Sequence, residues 1–443
     1  VCSSDLMRSN PPRMNQSFNR RRFLASTAAA LAAPYFLRAQ GSPNAKLNIA
    51  CIGTAGRAAG DIDGVKGENI VALCDVDEAH LNKAGEKFPG AKKYRDFRKM
   101  LEQKDIDAVV VGTPDHTHAV CVVSALRSGR HVYCEKPLAR TVSEVRVMTD
   151  TAAKTKRVTQ MGNQIHSHPG NNYRRCVELV QSGAIGAVKE VHVWAGAIYG
   201  NKTVVANPPP PPASLDYDLW LGPVQYISYR PEYVPFHWRH FWHFGGGTLA
   251  DFWCHFSDLA HWALDLKYPL TVEAEGPAVD PELVPVDLKV RYEYPTRGKQ
   301  PPVKLTWYQG KYRPEAELGP LLDKWKGGGV LFVGDKGRLL ANYTQRLLLP
   351  EDKFANFTPP APFVPDAKGN NWHHEQWIQA IKTGGKAECD FAYAGPLSEA
   401  GLLGNVAFRV GKKLNWDAKT LRAMGCPEAD QFIQHKYREG WKL

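Results

Sequence analysis

From Lys46 onward, short uninterrupted apolar runs alternate with helix-length stretches: LNIACIG, NIVALCD, DAVVVGTP and HVYCEKP are each separated by room for one crossover helix. Strands apolar at every position are buried on both faces, and strand–helix–strand spacing makes neighbouring strands parallel. The pattern predicts a doubly wound, Rossmann-type α/β domain over residues 45–165. Beyond it the period changes. RRCVELVQSGAIG places its apolar residues on one helical face and closes on glycine, and VKEVHVWAG follows as a strand. VDLKVRYEY and VKLTWYQ alternate apolar with polar positions, as strands do when one sheet face meets water, while GVLFVG and GRLLAN add further strands. Helices return at HHEQWIQAIKTG and PLSEAGLLGNVAFRVG. Residues 166–443 are therefore expected to form a substrate-binding and oligomerisation domain of α+β type, with a mainly antiparallel sheet. The five consecutive prolines Pro208–Pro212 read as a stiff polyproline II loop inside it.

Composition narrows the class. A chain of 443 residues with 43% hydrophobic and 23% charged residues is globular and long enough for two cores. The formal charge of +11 is concentrated at the start, where residues 1–39 hold six Arg and one Asp, leaving +6 for the rest. Without basic blocks or a nucleic-acid motif, that excess describes a solvated surface, and no nucleic-acid partner is expected. Residues 1–6, VCSSDL, read as a translated sequencing adapter. Residues 7–39 have the order of a twin-arginine export signal: Asn19-Arg20-Arg21-Arg22-Phe23-Leu24, an Ala/Leu-rich run to Ala33, and small residues near Ala39. The expectation is a periplasmic or otherwise exported protein, carried out folded, with no membrane anchor once the signal is removed. Eight of the nine Cys lie beyond this region without CxxC or metal-ligand spacing, so they read as buried free thiols, and no metal is expected.

The chemistry begins where the first strand ends. LNIACI runs into Gly53-Thr54-Ala55-Gly56-Arg57-Ala58, and the second strand ends at Asp75. Strand, tight glycine turn, helix and distal acid make a dinucleotide fingerprint: helix N-terminal amides face a pyrophosphate, and the carboxylate suits ribose hydroxyls. Asp75 opposes a 2′-phosphate, so NAD is the expected cofactor. The pattern departs at its second glycine, here Ala55, whose methyl hinders close approach to a pyrophosphate. Thr113-Pro114-Asp115-His116-Thr117-His118 and Glu135-Lys136-Pro137 follow two later strands, at the edge where such sheets bind ligands.

A second constellation is Gly245-Gly246-Gly247 followed by Asp251 and His255. Four residues apart, the two side chains share one helical face, either as an acid–base pair with Asp251 supporting His255, or as a surface ion pair. Trp220, Trp238, Trp242 and Trp253 crowd this region, which suits stacking on sugar rings. His237, His240 and His243 lack the company of a zinc motif.

The fingerprint, the TP-D-x-x-H turn, the E-K-P motif and the GGG-x-x-x-D-x-x-x-H run together resemble the Gfo/Idh/MocA oxidoreductases (glucose–fructose oxidoreductase, inositol dehydrogenase, rhizopine catabolism), in an exported bacterial branch. The resemblance implies that Lys136 lies beside nicotinamide and the substrate hydroxyl, that Thr113, Pro114, His118 and Glu135 line the nicotinamide half, and that Lys136, Asp251 and His255 act together. It also implies a place near the nicotinamide for Trp238 and Arg239, a substrate-pocket position for Gln164, and a homodimer or tetramer. The expected activity is NAD-dependent oxidation or reduction of a secondary alcohol on a sugar or polyol, with the cofactor tightly bound and recycled in place. Redox-neutral glycoside cleavage through a keto-sugar, and a non-catalytic NAD-binding sensor, are the alternatives.

Overall fold

The computed structural model describes residues 45–443, and the export signal expected at residues 7–39, with the six residues before it, lies outside the described residues. Six parallel strands form the first sheet: β1 (Asn48–Ile52), β2 (Asn69–Cys74), β3 (Lys92–Tyr94), β4 (Ala108–Val111), β5 (His131–Glu135) and β6 (Thr159–Gly162). Their order is β3-β2-β1-β4-β5-β6. The chain builds outward from β1 on one side, then returns to build outward from β4 on the other, so a crevice opens between the ends of β1 and β4. Register pairs Ile52 with Cys74 and with Val111, Val111 with Cys134, and Glu135 with Gly162. In consequence Gly53, Asp75, Thr113, Lys136 and Asn163 all leave the sheet along one edge.

The second sheet has nine strands, β7 (Val188–Ala195), β8 (Thr271–Glu275), β9 (Leu288–Tyr294), β10 (Val303–Gln309), β11 (Gly328–Gly334), β12 (Arg338–Ala341), β13 (Arg346–Leu349), β14 (Leu414–Asp417) and β15 (Arg422–Met424), in the order β13-β12-β11-β7-β10-β9-β8-β14-β15. At its centre lie β7, β9, β10 and β11. The β7–β10 pair is parallel and the other neighbours are antiparallel. The alternation in VDLKVRYEY is realised in β9, where Leu288, Val290, Tyr292 and Tyr294 are buried while Lys289, Arg291 and Glu293 are half-exposed. The buried face packs against the helix Gly247–Leu264, whose Trp253 ring lies 4.8 Å from Tyr292 and 5.9 Å from Trp307, centroid to centroid. Burying aromatic rings of this size contributes a few kcal/mol each, roughly 1.5–3 for a Phe-sized side chain. That packing fixes the helix from which Asp251 and His255 project. All eight cysteines beyond residue 45 are buried and unpaired. Among the described residues no helix is long and apolar enough to cross a membrane.

Candidate active site

One cleft of about 500 Å³ runs along the carboxyl edge of the first sheet, from Gly53, Ala55, Gly56, Arg57 and Asp75, past Thr113 and Pro114, to Glu135, Lys136, Gln164, Trp238, Arg239, Asp251 and His255. Its first part is shaped by glycine. Gly53 has φ 87°, and a Cβ there would stand 2.9 Å from the Gly112 carbonyl oxygen, so no larger residue fits between β1 and β4. The helix Arg57–Val65 starts at once from Gly56, with no side chain capping its free amides. These residues fit a dinucleotide pyrophosphate. Asp75 is braced by its own chain: Oδ2 accepts from the Thr54 amide and hydroxyl, both at 2.8 Å, and Oδ1 accepts from the Asp77 amide at 3.0 Å. One lone pair of Oδ1 remains for a ribose hydroxyl. Arg95 lines the same end of the cleft, as does Trp441 from the C-terminal tail.

At the other end, the Asp251 carboxylate is the hub. Lys136 Nζ donates to its Oδ1 at 2.7 Å and to the Asp251 carbonyl at 3.1 Å; Arg239 Nε donates to Oδ1 at 3.1 Å, and Tyr199 Oη to Oδ2 at 3.2 Å. Burial pushes this carboxyl up, but Lys136 and Arg239 outweigh it and hold Asp251 well below the usual carboxylate range. Arg239 is itself placed by stacking, its guanidinium carbon 4.0 Å from the Trp238 ring centroid. A Cβ on Gly245 would stand 3.2 Å from that ring, so the glycine run admits the Trp238–Arg239 turn.

The pairing of Asp251 with His255 expected from their spacing does not occur. Both share the helix Gly247–Leu264, yet Asp251 is spent on Lys136, Arg239 and Tyr199, while His255 Nδ1 lies 3.1 Å from Asn163 Oδ1. The reason is local electrostatics: two fixed cations outcompete an imidazole for one carboxylate. Asn163 in turn donates its Nδ2 to the Cys254 carbonyl at 2.6 Å, which turns its oxygen toward His255. Nδ1 of His255 must then carry the hydrogen, leaving the lone pair on Nε2. Burial, with the Lys136 cation next, pushes His255 down to about 3. The imidazole is therefore a neutral base throughout the physiological range.

That assignment has a measurable sign. Replacing Lys136 with Met removes a nearby cation and is expected to raise the His255 pKa toward 6.5, whereas in the wild type the ring stays neutral as pH falls from 8 to 5. Imidazole nitrogen shifts in an NMR titration follow both. A wild-type ring that protonates near pH 6.5 would contradict the assignment.

Glu135 turns away from Lys136 into a second network. Its Oε1 accepts from Arg57 Nε at 3.1 Å and Gln164 Nε2 at 2.7 Å, and burial together with the nearby Asp61 carboxyl pushes it up to about 7. Asp115, buried at the first turn of the helix Asp115–Arg127, is also pushed well above the usual carboxylate range by burial. His118 does not line the cleft. Five residues past Thr113 it faces inward, with Nδ1 2.9 Å from the Pro137 carbonyl and Nε2 2.7 Å from the Thr113 carbonyl, so it bridges the two loops from behind. His166 is likewise buried away from the cleft, against Asp258 at 3.0 Å and stacked on Trp262. Asn163, Tyr199, Asp115 and Arg95 were not identified as site residues from sequence.

A doubly wound sheet with a glycine turn, a braced ribose-side acid and a Lys–Asp/His cluster at the far end defines a nicotinamide-dependent oxidoreductase architecture. Two family models match: the NAD-binding Rossmann fold of the Gfo/Idh/MocA oxidoreductase family at residues 47–163, and the C-terminal alpha/beta domain of that family at residues 172–300. The chain belongs to this family, and its first domain is an NAD-binding Rossmann domain. Inositol 2-dehydrogenase of Salmonella typhimurium is 32% identical over 142 residues, 32% of this chain and 41% of that enzyme's length. A glycosyl hydrolase family 109 protein of Solibacter usitatus is 33% identical over 174 residues, 36% of this chain and 38% of its own. The chain thus aligns with less than half the length of these curated relatives. Among solved structures, the WlbA dehydrogenase of Bordetella pertussis, in complex with NADH and UDP-GlcNAcA, shares the fold at TM-score 0.59 and 16% identity, covering 84% of this chain and 99% of that one.

Proposed function

We propose that the cleft oxidises a secondary alcohol of a sugar or polyol, with NAD as redox partner. The observation that carries this reading is the His255 tautomer: a neutral imidazole with its free Nε2, in the same cleft as Lys136 and continuous with the dinucleotide turn. NAD, when bound, supplies the two-electron acceptor. His255 Nε2 takes the proton of the substrate hydroxyl, and the Lys136 ammonium offsets the charge that develops on its oxygen. Asp251 holds Lys136 and Arg239 in place, and the buried Trp238 ring backs Arg239 by stacking on its guanidinium. The name of the Salmonella relative supports a polyol substrate. A panel of sugars and polyols, read by formation of reduced nicotinamide in the purified protein, tests the assignment.

The Solibacter relative favours a second reading built on the same first step. Oxidation to a ketone acidifies the adjacent C–H, whose proton and the glycosidic group are lost by elimination; water then adds to the resulting enone, and the reduced nicotinamide returns the hydride to the ketone. Sugar release without accumulated reduced nicotinamide, and with solvent deuterium in the product, would mark this route.

Asp75 is expected to set cofactor choice. Asp75→Ser removes the carboxylate and leaves Arg95 at the same end of the cleft, so the preference for NAD over NADP should narrow by about tenfold, the equivalent of roughly 1.4 kcal/mol. Tighter binding of NADP than NAD by the wild type would refute the role given to Asp75.

The run Asn19-Arg20-Arg21-Arg22-Phe23-Leu24, which has the pattern of a twin-arginine signal, supports an exported enzyme that carries its cofactor with it. Leu215, Leu219 and Trp441 line the same cleft as Asp75. Protein recovered from the exported fraction should retain near-stoichiometric NAD(H) through gel filtration. Cofactor-free protein that turns over only with added NAD would point to an ordinary dissociating dehydrogenase.

A further inference from the structure

The glycine run also borders a second, smaller cavity of about 30 Å³, lined by two arginines that the cofactor cleft does not use. Neither Arg140 nor Arg409 pairs with a carboxylate among the described residues. Arg140 donates through Nη1 to the His243 carbonyl, and its Nε is buried without an acceptor. Arg409 lies between Trp242 and Phe432, its guanidinium carbon 4.9 Å and 4.1 Å from their centroids, and makes no hydrogen bond among the described residues. Burial, then Arg140, lowers it to about 10. The nearby carboxylates are engaged elsewhere: Glu144 accepts from the Thr141 amide at 2.9 Å and Tyr437 Oη at 2.6 Å, and Glu282 pairs with Arg230 at 3.0 Å. His435, which also lines the cavity, is pushed down to about 3 by burial and by these two arginines, and so adds no acceptor of charge.

Two like charges in a partly buried pocket repel, and without a counter-ion they cost stability. A second orphan specifies the ligand further. Asn405 is buried, and its Nδ2 donates to the Gly246 carbonyl at 2.8 Å, which turns Oδ1 away from that carbonyl; Oδ1 has no donor. The pocket therefore lacks both negative charge and one hydrogen-bond donor. Its volume exceeds the roughly 10–15 Å³ needed for one water but is too small for a sugar ring. We propose that this cavity binds a small oxyanion carrying one hydroxyl, of which hydrogenphosphate is the simplest: its oxygens face Arg140 and Arg409, and its hydroxyl donates to Asn405. Arg140 lies four residues beyond Lys136, and the helix bearing Asp251 and His255 starts at Gly247, so the bound anion sits against both segments that carry the cluster.

The test uses the full chain purified without phosphate and follows thermal unfolding against inorganic phosphate, glycolate, sulfate and chloride at constant ionic strength. Phosphate should raise the midpoint saturably, by about 2 °C or more, with a one-to-one stoichiometry by calorimetry. A matching effect of glycolate identifies a hydroxy-carboxylate as the alternative source of the same chemistry, and sulfate, having no hydrogen to give Asn405, should be weaker than phosphate. Arg409→Met puts an uncharged side chain between Trp242 and Phe432 and relieves the repulsion with Arg140, so it should lose the phosphate effect while being no less stable than wild type in its absence. Should that variant fail to fold, Asn405→Asp serves, since a carboxylate there repels the anion. A wild-type response to phosphate no larger than to chloride overturns the proposal, and so does an unchanged phosphate response in these variants.

Discussion

Replacing His255 with Ala is expected to lower kcat by about 10²–10⁴-fold, the range that a positioned general base contributes. The expectation rests on the tautomer rather than on the residue type. Cys254 orients the Asn163 amide, Asn163 fixes the hydrogen on Nδ1, and Nε2 is left as a lone pair in the cleft. Because the imidazole is neutral in place, the wild-type rate should show no acid limb near pH 6.5 from this group. NAD affinity should survive the substitution, since the fingerprint lies at the far end of the cleft. Steady-state rates at saturating NAD, with cofactor binding measured separately, check both parts; a variant retaining more than about a tenth of wild-type kcat would remove His255 from the proton transfer.

Lys136→Ala is expected to cost about 10²–10³-fold in kcat, as does the loss of one donor aimed at a developing oxyanion. Lys136 also shares the Asp251 carboxylate with Arg239, so its removal leaves a buried carboxylate with one cation where it had two. Lys136→Met, which keeps the aliphatic stem, separates lost packing from lost charge. If both variants bind NAD as tightly as wild type and turn over at wild-type rate, the ammonium has no part in catalysis.

How far the sequence discloses this site depends on whether the relevant contact is local. The first sheet is legible because β4, AVVV, is buried at every position, a pattern that only a covered parallel strand tolerates. The dinucleotide turn is legible for the same reason, since Gly53, Gly56 and Asp75 are tied to strand ends the pattern already locates. Asp251 and His255 are correctly placed on one helix, yet their partners come from Lys136, Arg239, Tyr199 and Asn163, which approach from four separate segments. No spacing rule encodes that convergence. Asn163 follows β6 as an ordinary polar residue, and its importance emerges only when Cys254 and His255 are seen on either side of it. His118 fails in the opposite sense: its motif places it near the cofactor, and the helix turns it behind the loops. The helix expected from Pro396 begins at Phe391, where Asp390 caps it by accepting from the Tyr393 amide, so that Pro396 lies inside it.

The most direct test of the whole account is single-turnover transfer from a carbon-deuterated sugar or polyol, chosen from the active members of the panel, to the nicotinamide of the NAD-loaded protein, read by mass spectrometry. The expected result is one deuterium on the nicotinamide per active site in the wild type, slowed by at least a hundredfold in His255→Ala. Absence of label on the nicotinamide with every sugar and polyol tried, in protein shown to hold NAD, would contradict it.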